Sequence, residues 1–541
     1  MCSINRRELL TAFLGSAYVT ASGCGRPAPG LPPGQLVGAT VSLGHRLRDR
    51  PTIRIEPDQW HRHDVVIIGA GIAGLSAARR LRQQGLRDFV VVELETEPGG
   101  TSRSGRSTLT GYPWGAHYVP APTHEFPELV NLLDELHVFD GIDPHGDPVV
   151  AEQFRCRDPQ ERIFYRGTWY EGLYLHPGAS ADDLAQRQRF HRLIDQWVGW
   201  RDARGRRAFT IPMAAGSDDE QLRQLDRLSM TEWMELHHFD SPRLRWLIEY
   251  ACRDDYGMHA DQTSAWAGLF YFAARRVAPR ESSRPFITWP EGNGRLVRHL
   301  HEPIRAQVHL GWAVAAIEST RCGDQPWLEI RALSRTGEPR GYRAKKVVLA
   351  VPQFLTPYLI ASYRHEPPAH VAEFQYGAWA VANLTLQQPP TGDGFPLAWD
   401  NVLYESPSLG YVCDTYQRGL GYGPSVLTYY YPLCDRDPNQ GRERLLQLGR
   451  ADWAEIALSD LERAHPRIRA TTRAVDVMRW GHAMIRPRVG FIWGDARQAA
   501  AQPVDGIHCA HSDLSGLPLF EEAFYRGTRA ADAVLRELSH A

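Results

Sequence analysis

The sequence predicts an α/β protein of more than one folding unit, and three observations predict it. The apolar run Asp64-Val65-Val66-Ile67-Ile68 leads straight into Gly69-Ala70-Gly71-Ile72-Ala73-Gly74 and then into Leu75 to Gln84, a stretch of helical composition. A second apolar run, Phe89-Val90-Val91-Val92, ends on Glu93. The chain of 541 residues and 61.1 kDa is too long for that unit alone. Strand, tight glycine turn, helix, strand and terminal acid together make a Rossmann-like dinucleotide-binding domain of the GxGxxG type.

Composition sets the class. Hydrophobic residues make up 43% and charged residues 23%, enough apolar material for a large core. The 61 basic and 63 acidic side chains leave a net charge of -2, so no basic field exists to attract nucleic acid. Lysine occurs only at Lys345 and Lys346, which limits where a catalytic lysine could stand.

From the N-terminus, Arg6-Arg7, an apolar stretch from Leu9 to Val19 and Ala21-Ser22-Gly23-Cys24 have the order of a signal peptide over residues 1–24. Asn5-Arg6-Arg7-Glu8-Leu9-Leu10 resembles a twin-arginine export signal, and Ser22-Gly23-Cys24 the end of a lipobox with Ala21 in place of the usual Leu. Export to the periplasm or the outer face of the cell membrane is expected, with membrane contact only through a lipid anchor at Cys24. Lipidation and simple cleavage or retention both stay open. Residues 25–59 read as a Pro/Gly-rich linker. No other run reaches the roughly 18 apolar residues of a membrane span. The remaining cysteines, Cys156, Cys252, Cys322, Cys413, Cys434 and Cys509, form no CxxC pair and no zinc pattern, so no metal is expected.

In the dinucleotide motif Gly69 permits the sharp turn, Gly71 lets the backbone approach a diphosphate, and Gly74 allows close helix–strand packing. Glu93 stands where an acid receives ribose hydroxyls. Gly99-Gly100, shortly after Glu93, resembles the pattern of the flavin amine oxidase superfamily, which includes monoamine and polyamine oxidases, protoporphyrinogen oxidase and phytoene desaturase. Thr101 replaces the superfamily's arginine, with Arg103 close by. Three further segments carry the resemblance: Trp289 to Leu296 with Val308, Leu310, Val314 and Ile317 after it; Lys345 to Pro352; and Gly506 to Ala510 followed by Asp513 and Phe520 to Ala531.

The resemblance implies FAD as cofactor. It places the FAD-binding domain in 60–130, 284–352 and 473–541, and a discontinuous α+β substrate domain in 131–283 and 353–472. It implies cofactor contacts at Gly69, Gly71, Ile72, Ala73, Gly74, Glu93, Gly99, Gly100, Thr101, Val314, Asp513, Glu522 and Ala523, with Gly115-Ala116 passing under the isoalloxazine. Within the substrate domain, Arg187 to Arg204 and Asp219 to His238 fit helices, and Trp379 to Leu386 and Val426 to Tyr431 fit strands.

The chemistry expected is hydride transfer from a substrate C–H to flavin N5. The superfamily's amine oxidases commonly use a lysine near N5, and the corresponding strand here, Trp379-Ala380-Val381-Ala382-Asn383-Leu384, has none. Its absence leaves the electron acceptor as oxygen or a quinone or redox protein, and favours the second. His117, Tyr118, Trp480 and His482 are the catalytic candidates. A cationic amine calls for carboxylates and aromatic faces, for which Asp254, Asp255 and Tyr256 are the substrate-binding candidates. Of Tyr429-Tyr430-Tyr431 only part can line one pocket, because alternate strand residues point to opposite faces. The expected substrate is a small amine, including polyamines. A lipophilic ring or polyene substrate and a non-catalytic flavoprotein are the alternatives.

Overall fold

The computed structural model describes residues 30–48, 53–322, 325–419 and 421–540. The predicted leader, with Cys24, lies outside them.

The strand Trp60–Ile68 forms the centre of a seven-stranded sheet. Phe89–Glu93 pairs with it in parallel, Val65 opposite Phe89, and Val308–Leu310 pairs in parallel beyond that. On the other side Pro339–Leu349 runs parallel to it, Val347 opposite Val66. This strand changes partner midway: its first half closes an antiparallel meander with Gln325–Ser334, and its second half takes Ile507–Cys509 in parallel. From Val65 to Ile68 both faces of the central strand are buried, which explains the apolar run there. Val65 and Ile67 point toward the helices Ile72–Gln83 and Phe520–Ser539, while Val66 and Ile68 point toward the meander.

The second sheet has eight strands, in the order Leu36–Gly38, Thr472–Ile485, Tyr376–Leu386, Ser425–Leu433, Tyr411–Cys413, Asp400–Leu403, Glu161–Tyr165 and Thr168–Glu171. Alternation divides its two faces. Ala380 and Ala382 pack against the helix Arg450–Glu462, and Trp379 and Val381 face the other way with Tyr430, Met478 and Trp480. Beside it lies a helical lobe around Ala181–Gly199, Pro242–Tyr256 and Ala265–Ala273. Among the described residues no helix is long and apolar enough to cross a membrane. Cys156, Cys252, Cys413, Cys434 and Cys509 are free thiols.

Three expectations need correction. Thr472–Ile485, placed in the last cofactor-domain segment, belongs to the eight-stranded sheet, where it pairs with Tyr376–Leu386. Part of the 25–59 linker is ordered, as the edge strand Leu36–Gly38 and the helix Val41–Arg48. The single helix expected over 219–238 is two, Glu220–Leu225 and Met230–Leu236. Ser229 starts the second of these with a capping box: its hydroxyl accepts from Glu232 N, and the Glu232 carboxylate accepts from Ser229 N.

The helix Phe520–Ser539 returns to pack on Ile72–Gln83, and Gly527 makes the close approach possible. A Cβ there would lie 2.0 Å from the Ala73 carbonyl oxygen and 2.1 Å from Ser76 Oγ. Gly527→Ala is therefore expected to lower stability to urea by about 2 kcal/mol or more. An unchanged unfolding midpoint would contradict this packing.

Candidate active site

The glycine turn is built from backbone contacts. Gly69 has φ +99°, and a Cβ on Gly74 would sit 1.8 Å from the Gly69 carbonyl oxygen. Gly99 N donates to Ala70 O at 2.8 Å, which brings the second glycine turn against the first. Gly99 and Gly100 have φ +117° and +55°, in the left-handed region that favours glycine. Glu93 binds the junction from the strand end, its carboxylate accepting from Ala70 N at 2.5 Å and from Glu95 N at 2.8 Å. Burial raises its pKa.

Above this junction is room. A Cβ on Gly71 would meet nothing within 4 Å, and the first turn of the following helix, with Ile72 and Ala73, has no side-chain cap. Its free N–H groups form an anion site at a helix N-terminus. Alongside lies Arg103, 8% exposed, whose Nε and Nη2 have no partner among the described residues. A buried guanidinium with unused donors beside an uncapped helix and a glycine gap fits the diphosphate of a dinucleotide.

From the cradle the chain runs past Thr101 to Gly115-Ala116. A Cβ on Gly115 would lie 2.4 Å from Thr101 O, and Ala116 N donates to the same oxygen at 3.1 Å. Asn293 N donates to Ala116 O at 3.1 Å, and Asn293 Nδ2 to Tyr118 O at 3.1 Å. Val314 sits at a β-bulge at the start of the meander. Trp480 Nε1 donates to Trp114 O at 2.6 Å, and Tyr430 OH to Gly115 O at 2.9 Å. Trp480 and Tyr430 thus bracket this segment.

These residues open on a cavity of about 170 Å³. Its aromatic lining includes His117, Tyr118, Tyr250, Trp379, Tyr430 and Trp480. His117 stacks on Tyr430 at 5.0 Å between ring centroids, and burial lowers its pKa to about 4, so the ring is neutral near pH 7. Four carboxylates, Asp254, Asp255, Asp400 and Glu521, also line the cavity, with one guanidinium, Arg275. Arg275 Nη2 donates to both oxygens of Asp255, at 3.0 and 2.9 Å, so its charge is already matched. Burial pushes Asp254 up to about 7, with Asp255 adding to the rise, and pushes Glu521 and the neighbouring Glu161 up to about 7. Asp400, which accepts from Tyr250 OH at 3.3 Å, is raised by burial and then by Asp254 and Glu161. Ser241 and Pro242 start the helix that carries Asp254 and Asp255, and Gly257 ends it at φ +60°. A Cβ on Gly257 would be 2.8 Å from Trp379 Nε1, so glycine lets this helix end dock on the cavity wall.

Three expected site residues point elsewhere. His482 is exposed and stacks on Phe354 at 4.1 Å. The register slips between the pairs Trp379–Trp480 and Gly377–Met484, and the extra residues break the alternation: Trp480, Ala483 and Met484 face the cavity and His482 the surface. Tyr256 follows the two aspartates but lies round the helix from them, donating to Ala267 O at 2.7 Å inside the helical lobe. Glu522 turns from the cavity, accepting from Met213 N at 2.5 Å, while its neighbour Glu521 faces in. Ala523 packs on the core beneath the closing helix, and Asp513 accepts from Gln353 N and Tyr376 OH.

Sequence reasoning missed Glu521, Asp400, Arg275 and Asn293. Only Asn293 had a local signal, its place between Gly292, which packs against Ala116 O and His117 Cα, and Gly294, which packs against the Ser104 side chain. Among the described residues no group of His, Cys, Asp and Glu could hold a metal ion.

A model of the flavin containing amine oxidoreductase family matches residues 72–535. The Mycobacterium tuberculosis protein AofH, which carries the name of a flavin-containing monoamine oxidase, is 28% identical over 264 residues, 48% of this chain. The match spans 52% of that relative, about half its length. A Streptomyces coelicolor Baeyer-Villiger monooxygenase is 38% identical over 106 residues, 17% of this chain and 20% of its own. Among solved structures, wild-type putrescine oxidase bound to putrescine superposes with TM-score 0.62 at 17% identity, covering 88% of this chain and 100% of its own. Cyclohexylamine oxidase from Brevibacterium oxydans gives 0.60 at 18% identity, covering 88% and 99%. At such identities the superpositions show a common fold, and the family match spans most of the chain. The chain belongs to the flavin-containing amine oxidoreductase family, with FAD as its cofactor.

Proposed function

We propose that the protein oxidises a small amine that enters as a cation. The observation that carries this reading is the cavity's acidic lining: of its four carboxyl groups only Asp255 is matched by a guanidinium, that of Arg275. FAD, when bound, supplies the acceptor for hydride from a substrate C–H bond. Gly71, Gly99, Gly100, the first turn from Ile72 and Arg103 would hold its diphosphate, Glu93 its ribose, and Gly115-Ala116 its ring system.

The chain's own side chains do the rest. Asp254, once ionised, attracts the ammonium, and the faces of Tyr430 and Trp480 stabilise it. The raised proton affinity of the carboxylates eases departure of the ammonium proton, which must leave before the C–H bond is oxidised. A lipophilic ring is disfavoured, since an apolar guest would leave these dehydrated carboxylates unpaired.

Both lysines are engaged at the far end of the cofactor sheet, Lys345 with Asp64 at 2.7 Å and Lys346 with Glu537. Neither reaches the cavity, which supports a quinone or redox protein over oxygen as final acceptor.

Two substitutions test the reading. Gly71→Ala adds a methyl where the apoprotein has space, so the apoprotein should unfold at the wild-type temperature while FAD affinity falls about tenfold or more. Equal affinity would contradict the cradle. Asp254→Asn should raise KM for the amine about tenfold with a smaller effect on kcat. Because ionisation of Asp254 creates the attracting charge, wild-type KM should fall as pH rises through about 7, and the variant should lose that dependence. An unchanged KM would remove the carboxylates from substrate binding.

A further inference from the structure

The stretch Pro33–Arg48 precedes the span matched by the family model, yet it is built into the fold. Leu36–Gly38 pairs in parallel with Thr472–Ile485, Leu36 opposite Val477. Val475 N donates to Pro33 O and Val477 N to Gln35 O, both at 2.9 Å. Gln35 N donates to Asp476 Oδ1 at 2.9 Å, and the other oxygen of Asp476 accepts from Tyr112 OH at 2.8 Å. Gly34 lies so close that a Cβ would be 1.9 Å from Val475 O.

The segment then crosses to the other sheet. Thr40 grips Glu95 with two hydrogen bonds, its N–H donating to Oε1 and its hydroxyl to Oε2, both at 2.8 Å. Leu43, 3% exposed, closes the core that holds Val92 and Val314. One short segment thus joins the eight-stranded sheet to the strand end that carries Glu93.

Glu95 stands between two residues of the cofactor cradle. Its N–H donates to Glu93 Oε1, and its Oε2 lies 3.9 Å from Arg103 Nη1. The Arg103 guanidinium lies 5.2 Å over the Trp480 ring, and its Cγ would touch a Cβ on Gly99 at 3.2 Å, so it borders the glycine pair. Nη1 faces Glu95, and the unpartnered Nε and Nη2 remain for a ligand.

We propose that Pro33–Arg48 is a strap that retains the cofactor: Thr40 fixes Glu95, and Glu95 orients Arg103 toward the FAD diphosphate. The proposal rests on FAD as the cofactor and not on the amine as substrate. Thr40→Val keeps the backbone bond to Oε1 but removes the hydroxyl bond to Oε2, the oxygen that faces Arg103, so Glu95 gains rotamer freedom and the guanidinium loses the fixed charge that sets its orientation. Thr40 and Glu95 are then positioning residues, and Arg103 is the residue that touches the cofactor.

A double-mutant cycle on the full chain tests this. FAD affinity is measured by flavin fluorescence during reconstitution of the apoprotein, together with apoprotein melting temperature. Arg103→Met should weaken FAD binding about tenfold or more, and Thr40→Val about tenfold when Arg103 is present. In the Arg103→Met background Thr40→Val should change affinity less than about twofold, because its effect passes through Arg103. Apoprotein melting should stay at the wild-type value. Wild-type affinity in Arg103→Met would overturn the proposal, as would an equal loss from Thr40→Val in both backgrounds, the pattern of a structural role alone. If Thr40→Val fails to fold, Glu95→Gln takes its place in the cycle with the same two outcomes.

Discussion

Backbone lying on backbone, with no side chain between, holds the cofactor half of this molecule together. The turn at Gly69–Gly71 touches the turn at Gly99–Gly100 through the Gly99–Ala70 hydrogen bond, Gly74 lies on Gly69, and Gly527 lets the closing helix reach Ala73. The contacts at Gly74 and Gly527 are closer than any residue with a Cβ would allow. The chain segments that meet here come from both ends of the sequence, so the site exists only once the last helix has docked. The open space above Gly71 is the complement of this closeness, a gap bordered by donors.

The other half is organised round an opposite constraint. A cavity that gathers several carboxylates away from water opposes folding whenever they are charged. Their pKa values are raised in the folded state, to about 7 for Asp254, Glu161 and Glu521. These groups therefore cost nothing while protonated in both states. They increasingly oppose folding as pH rises from the ordinary carboxylate range, about 4, toward 7. The fold offsets this with one buried pair, Arg275–Asp255, and a shell of aromatic rings, and leaves the rest of the charge for a ligand. A site that is costly when its acids are charged and empty is one that a bound cation would relieve.

How much of this was legible in the sequence follows from how local each signal is. The glycine turn, its strand and helix, and Glu93 were legible because one contiguous stretch carries them. Asp254 and Asp255 were found by residue type and indeed line the cavity, while Tyr256, next in line, does not, because a helix turns about 100° per residue. His482 was misplaced because a bulge is invisible to strict alternation. Glu521 and Glu522 are adjacent, and only tertiary packing decides which one faces in. Asp400 and Arg275 belong to elements far apart in sequence and carry no motif, so only the folded chain brings them to one cavity. The ordered strap in the expected linker escaped for a related reason: a three-residue edge strand, Leu36–Gly38, is too short to show periodicity.

The central claim is that the cavity reads positive charge on a small oxidisable molecule. The most direct measurement is an anaerobic visible titration of the FAD-loaded protein with putrescine and with simple monoamines, against 1,4-butanediol as an uncharged counterpart of putrescine. The account predicts bleaching of the oxidised flavin band by an amine and none by the diol. Bleaching by the diol at equal concentrations, or by no amine between pH 6 and 10, would contradict it.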